Sequence, residues 1–159
     1  MIEITSLSSS HLAALQELEA AALSGMSPAA LASALAAPDT RVLSARQTKD
    51  ADKQERGALI GYAIVVIGPF DAEIEAIGVL PGWRCQGVAG LLMQALIEVV
   101  IQAGSERLLL EVRDINTPAI SLYRAYGFTF DGRRKGYYPA EDGTAGRIDA
   151  LLMSRGLRS

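Results

Sequence analysis

The sequence predicts a mixed α/β (α+β) domain: one mixed sheet of about six to seven strands, with about four helices around it. Three observations carry this. Short apolar runs bounded by glycine, proline or polar clusters recur along the 159 residues and read as strands. Other stretches, most clearly Val88 to Ala103, repeat their apolar residues at the helical period. Strand-like runs come both side by side and around helix-like ones, so the sheet is expected to be mixed. No internal repeat or long linker divides the chain, and residues 1–159 are expected to form a single domain.

In chain order, Ile2 to Leu7 alternates weakly and reads as a strand. Ser9 and Ser10 are N-cap candidates for a helix through Leu23, with Leu12, Leu15, Leu18 and Ala22 on one face. Pro28, after Ser27, opens an alanine-rich helix to about Ala37, which Pro38–Asp39 ends. Arg41 to Arg46 and Leu59 to Ile67 read as strands. The polar run between them, residues 49–57, is expected to be a solvated hairpin loop. Glu73 to Leu80 is a strand that stops at Pro81–Gly82. In the helix from Val88, residues Leu91, Leu92, Ala95, Leu96, Val99 and Val100 form one stripe, and Gly104 follows where a helix C-terminus favours glycine. Arg107 to Arg113 is a strand. Asn116 caps the next helix, Pro118 sits in its first turn, and Tyr126–Gly127 ends it. Phe128 to Phe130 and Gly146 to Met153 read as strands, joined by an irregular stretch carrying Tyr137, Tyr138 and Pro139.

Composition narrows the function. Fifteen Lys+Arg against eighteen Asp+Glu give a net charge of −3, unlike a general nucleic-acid binder. One cysteine, Cys85, and one histidine, His11, do not make a structural zinc site, and no metal is expected. Gln94, Glu98 and Gln102 interrupt the longest apolar stretch, so no membrane span is expected. The amino terminus lacks a basic start followed by a long apolar run, and a reducing cytoplasm is the expected location.

Two segments carry chemistry. In the first, Ile77-Gly78-Val79 ends a strand, and Arg84-Cys85-Gln86-Gly87-Val88-Ala89-Gly90 turns into a helix. Glycines there let the backbone approach a ligand, and the unpaired amides of the helix's first turn attract an anion such as a pyrophosphate. Arg84 adds positive charge. The segment is neither a nucleoside-triphosphate P-loop nor a dinucleotide fingerprint, and a plain tight turn explains the glycines equally well. In the second, Leu108-Leu109-Leu110-Glu111-Val112-Arg113 places Glu111 in an apolar strand. A carboxylate in that setting needs a partner or a raised pKa, so Glu111 is either a general base or half of a salt bridge with Arg113 or Arg84. Tyr123 lies one to two turns into the following helix, where core packing with a satisfied hydroxyl is the plain reading.

Together these residues resemble the GNAT superfamily of acetyl-CoA-dependent N-acetyltransferases. Arg84-x-x-Gly87-x-Ala89 is similar to its Q/R-x-x-G-x-G/A signature. Asn116-x-x-Ala119-Ile120-x-Leu122-Tyr123-x-x-x-Gly127-Phe128 is similar to its second signature. Within the superfamily the chain most resembles the ribosomal-protein-alanine N-acetyltransferases. The pointers are Leu110-Glu111-Val112-Arg113, Arg133-Arg134-x-x-Tyr137-Tyr138-Pro139 and Asp149-Ala150-x-x-Met153. The resemblance implies a sheet whose central strands splay apart. It implies acetyl-CoA as donor, CoA as product, and a peptide or protein N-terminus, such as that of a ribosomal protein, as acceptor. Carried over residue by residue, Glu111 is the base and Tyr123 the acid. Ile77, Gly78, Val79, Arg84, Cys85, Gln86, Gly87, Val88, Ala89, Gly90 and Asn116 hold the cofactor. The chain departs from the family pattern at Cys85, at Gly25-Met26-Ser27-Pro28 (which lacks the usual tryptophan) and at Ile148.

Acceptor chemistry favours an N-terminal amine. An α-amino group has a pKa of about 7.7–8.0 and a lysine about 10.4, so a single carboxylate is better matched to the former. A backbone amide near Val79 would polarise the thioester carbonyl. Glu75 is the rival base. Tyr137 and Tyr138 either wall the acceptor cleft or form an edge-strand aromatic pair. A small amine or a lysine as acceptor, or a CoA-binding module without turnover, are the alternatives. Monomer and dimer are both compatible with the sequence.

Overall fold

A computed structural model describes residues 1–48, 57–139 and 147–157. The hairpin expected at residues 49–57, Gly57 apart, and the start of the last strand at Gly146 lie outside these described residues.

Seven strands form one sheet in the order β1-β2-β3-β4-β5-β7-β6. β1 (Ile2–Ser6), β2 (Thr40–Gln47), β3 (Leu59–Ile67) and β4 (Asp71–Val79) pair antiparallel in sequence order. β4 then pairs parallel with β5 (Arg107–Arg113). β7 (Arg147–Gly156) lies between β5 and β6 (Thr129–Pro139), antiparallel to both. The helices are α1 (Leu12–Ala22), α2 (Pro28–Ala36), α3 (Val88–Gln102) and α4 (Thr117–Ala125).

Alternation along β3 divides the core between the two faces. Tyr62 and Ile64 pack with Leu15 and Leu18 of α1 and Leu31 of α2. Ala63 and Val65 pack with Val88, Leu92, Met93, Leu96, Ile97 and Val100 of α3. On β5 the predicted faces hold: Leu108, Leu110 and Val112 are buried, while Leu109, Glu111 and Arg113 are half-buried. Proline and capping residues set the ends of the short helices. Ser27 accepts the Ala30 N–H at the start of α2, and Asn116 accepts the Ala119 N–H at the start of α4.

The central strands splay. β4 and β5 pair only at Asp71–Arg107, Ala72–Leu108 and Glu73–Leu109. Just beyond, the β3–β4 register steps from Val65–Ile74 to Ile64–Ala76, which leaves Glu75 as an extra, bulged residue. A bulge bends its strand, whereas β5 keeps pairing with β7 as far as Arg113. The rest of β4 diverges from β5, and its edge is left open.

Two expectations need correction. The stretch carrying Tyr137, Tyr138 and Pro139 is not irregular but the end of β6. Register shifts between Phe130 and Gly132 and between Arg134 and Tyr138 break the period of two that marks a strand. At the amino end, Ser9–His11 form a 3-10 turn after Ser8, and α1 starts only at Leu12. His11 accepts the Ser8 N–H at Nδ1 (3.0 Å).

Candidate active site

The open edge of β4 faces the start of α3. Gly87 caps that helix at φ 84°, a conformation that favours glycine, and no side chain caps it. The first intrahelical bond runs from Leu91 N–H to Gly87 O (3.1 Å). The amides of Val88, Ala89 and Gly90 precede it and have no partner within the helix. Cys85, exposed, also adopts a positive φ of 62°. These amides and the N-terminal end of the helix dipole form an anion-accepting nest.

Arg84, which adds positive charge beside this nest, also has a structural role. Its Nη2 donates to the Ala22 carbonyl (2.8 Å) and its Nε to the Val79 carbonyl (3.3 Å). The guanidinium braces the end of α1 against the end of β4. The same contact orients β4. N–H and C=O of one strand residue point to the same side, so the Val79 N–H faces the splay with its carbonyl. The neighbouring Leu80 N–H points the other way and bonds to Ile60 O (2.9 Å).

A cavity of about 640 Å³ fills this corner. It brings together Ile77, Gly78, Val79, Arg84, Cys85, Gly87, Val88, Ala89, Gly90, Asn116 and Tyr123, all expected from the sequence. Gln86 is not part of its lining; its side chain turns back to the Gly82 carbonyl (2.9 Å). Asn116 serves both the cavity and the cap of α4. Gly90 has a packing reason to be glycine, since a Cβ there would lie 2.6 Å from the Tyr126 hydroxyl. Tyr123 packs against Phe128 with ring centroids 5.8 Å apart. Burial, with Tyr138 nearby, pushes its hydroxyl pKa up to about 12.

Glu111 and Glu75 stand outside that lining, at the mouth of the splay. Glu111 lies two residues past the last β4–β5 pair and accepts a salt bridge from Arg134 (3.2 Å), not from Arg113 or Arg84. Glu73 faces both other carboxylates. Burial raises its pKa, Glu75 and Glu111 add to the rise, and Arg134 opposes it. Tyr137 and Tyr138 flank the group edge to face, with centroids 4.9 Å apart. Arg134 lies over the Tyr137 ring and Arg113 over the Tyr138 ring, at 5.4 and 5.0 Å. Tyr138 titrates high, chiefly through burial and then through Glu111. The carboxylates, tyrosines and arginines thus converge where β4 and β5 separate, with the tyrosines and Arg134 supplied by β6.

Comparison with known proteins agrees with this geometry. The acetyltransferase (GNAT) family profile matches residues 15–128. The chain belongs to the acetyltransferase (GNAT) family. It is 34% identical over 132 residues to N-alpha-acetyltransferase RimI of Mycobacterium tuberculosis, covering 80% of this chain and 73% of that protein. It is 43% identical over 101 residues to the uncharacterized protein ML0378 of Mycobacterium leprae, covering 61% of this chain but only 26% of that protein. The chain therefore spans about a quarter of the length of the latter relative. Among solved structures, the ribosomal-protein-S18-alanine N-acetyltransferase of Escherichia coli superposes with a TM-score of 0.87 at 29% identity, covering 100% of this chain and 96% of that one. The GNAT fold, with its splayed sheet and four helices, is shared with it.

Several residues that line this cavity were not legible as such. Ala22, Leu23 and Ser24, from the end of α1, wall the cavity, as do Trp83, Pro118 and Leu122. Their contribution depends on how α1 and α4 dock, which no local pattern encodes. Arg134 sits in a basic run that reads as solvated surface, and only the pairing of β6 with β7 brings it beside Glu111.

Proposed function

We propose that residues 1–159 act as one catalytic domain that transfers the acetyl group of acetyl-CoA to the α-amine of a protein N-terminus, of the ribosomal-protein-alanine type. The observation that carries this reading is the joining, in one cavity, of the uncapped start of α3, the open edge of β4 and Tyr123. A diphosphate fits the first, a thioester carbonyl the second and a leaving sulfur the third. The names of the Mycobacterium tuberculosis and Escherichia coli relatives support the choice of an α-amine acceptor.

Acetyl-CoA, when bound, supplies an activated acetyl thioester. The amides of Val88, Ala89 and Gly90 would hold its diphosphate, and the Val79 N–H would polarise the carbonyl oxygen. Glu111 takes the proton of the acceptor ammonium, directly or through water, so that the neutral amine attacks. Glu75, on the bulge, is the rival for this step. As the C–S bond breaks, the Tyr123 hydroxyl would give its proton to the departing sulfur, and the proton left on the new amide nitrogen would restore the hydroxyl, directly or through water. A pKa of about 12 keeps the hydroxyl proton in place at neutral pH. Tyr137 and Tyr138 line the approach of the acceptor.

The test is intact-mass spectrometry of peptides incubated with the protein and acetyl-CoA. One peptide carries a free N-terminal alanine from a ribosomal protein; another has its α-amine blocked and a lysine free. Acetylation of the first alone, lost in Glu111→Gln, is the expected result. Product on the lysine peptide alone overturns the acceptor, and product on neither, with CoA still bound, points to a small amine or to a binding module.

A further inference from the structure

The fold buries a carboxylate that the proposed reaction does not use. Glu19 on α1 is 6% exposed. Its oxygens accept the Ser24 N–H (2.9 Å to each) and the Tyr62 hydroxyl (2.7 Å), and Oε1 is hydrogen-bonded to Ser24 Oγ. Ser24 Oγ and the Tyr62 hydroxyl are also 2.7 Å apart. These partners are neutral donors, and Tyr62 is wholly buried on β3.

Burying a carboxylate is costly, and the cost is contained only when its lone pairs are used. Ending α1 does not require it. The orphan groups at a helix C-terminus are carbonyls, which a carboxylate cannot serve. What the network does is seat Ser24 on β4. A Cβ at Gly78 would lie 2.7 Å from Ser24 Oγ and 2.8 Å from the Tyr62 ring, so this approach needs the glycine. Ala22, Leu23 and Ser24 line the cavity, whereas Glu19 and Tyr62 are not part of the lining. Leu23 is held in the left-handed region (φ 53°) and is 79% exposed. On the other side of the same turn, Arg84 grips the Ala22 carbonyl (2.8 Å).

We infer that Glu19 and Tyr62 are positioning residues which, through Ser24, lock the Ala22–Ser24 wall onto the backbone of Gly78 and so set the affinity of the cavity for CoA. The inference rests on the acetyl-CoA reading of the cavity. It separates two roles on α1: apolar residues such as Leu15 and Leu18 hold the helix on the sheet, while Glu19 fixes the last turn and the wall that follows it.

The experiment is calorimetric titration of the full chain with CoA, below the melting temperature of every variant. Tyr62→Phe removes one hydroxyl, and Glu19→Ala removes the whole acceptor. Leu31→Ala, in the same core cluster on α2 and outside the cavity lining, is the control for lost stability. Wild type is expected to bind CoA, Tyr62→Phe and Glu19→Ala to weaken binding about fivefold or more, and Leu31→Ala to bind as wild type while melting lower. If Glu19→Ala does not fold, Tyr62→Phe decides. Unchanged affinity in the folded variants, or equal weakening in the control, overturns the inference alone. A wild type that does not bind CoA overturns the acetyl-CoA reading and the inference with it.

Discussion

Glu111 and Tyr123 illustrate how much a single residue owes to its neighbours. Glu111 stands in an apolar strand, yet its partner is Arg134, from the part of β6 that the sequence reads as irregular. Glu111→Gln is expected to lower kcat/KM about 100-fold or more, and Tyr123→Phe to do the same, read in the peptide assay. Tyr123 must be protonated to act as the acid. Since burial pushes its pKa to about 12, kcat measured up to about pH 10 is expected to show no falling limb from its ionisation. A limb near pH 8 that Tyr123→Phe abolishes would contradict this. Gly90 makes a different point. Its glycine is readable as a ligand contact, but the Tyr126 hydroxyl occupies the place of a Cβ. Gly90→Ala is expected to cost about 1–3 kcal/mol by urea denaturation, and Tyr126→Phe in the same chain to recover part of that loss.

At the scale of elements, β6 pairs with β7 across two register shifts, and side chains hold the stretch between Arg134 and Tyr138. Asp149 on β7 accepts the Gly136 N–H (2.7 Å) and a bond from Arg133 (3.0 Å), and Arg133 also reaches Asp114 (2.9 Å) at the end of β5. The Gly136 N–H, then Arg133, lowers the Asp149 pKa below its ordinary value. A carboxyl depressed in the folded state stabilises the fold above its unfolded pKa, about 3.9, and loses that contribution as pH falls through the folded value. Melting curves are therefore expected to show an acid-side decline below about pH 4 that Asp149→Asn flattens. The same contacts explain why the part of β6 beyond Phe130 hides in the sequence. Gly136, at φ 60°, and two register shifts interrupt the alternation, and Arg133 and Arg134 read as surface until β7 is placed beside them. By contrast, β3 and β5 run over the residues that their apolar patterns predict: each is a continuous run, β3 paired on both sides and β5 paired along its whole length with β7.

Across the whole molecule, the site depends on two core layers pulling on one sheet. α3 presses one face and α1 with α2 the other, while the bulge at Glu75 turns β4 away from β5. Leu92, fully buried on α3, ties the start of that helix to the sheet; a Cβ at Gly61 of β3 would lie 3.3 Å from its Cδ1. Leu92→Ala is expected to cost about 2–5 kcal/mol in chemical denaturation. It is also expected to weaken CoA binding more than an equally destabilising change on the opposite face, because α3 carries the anion-accepting amides.

The chain's own residues specify the alternation of strands and helices, since period and spacing are local properties, and its resemblance to the GNAT family points to the cradle at Arg84 to Ala89 and to Glu111 and Tyr123. The partners of these groups come from elsewhere. Arg84 braces α1, Arg134 meets Glu111, and Glu19 with Tyr62 seats the wall of the cavity. Each of these contacts joins residues from different elements, so it exists only after the two core layers have packed and the sheet has splayed.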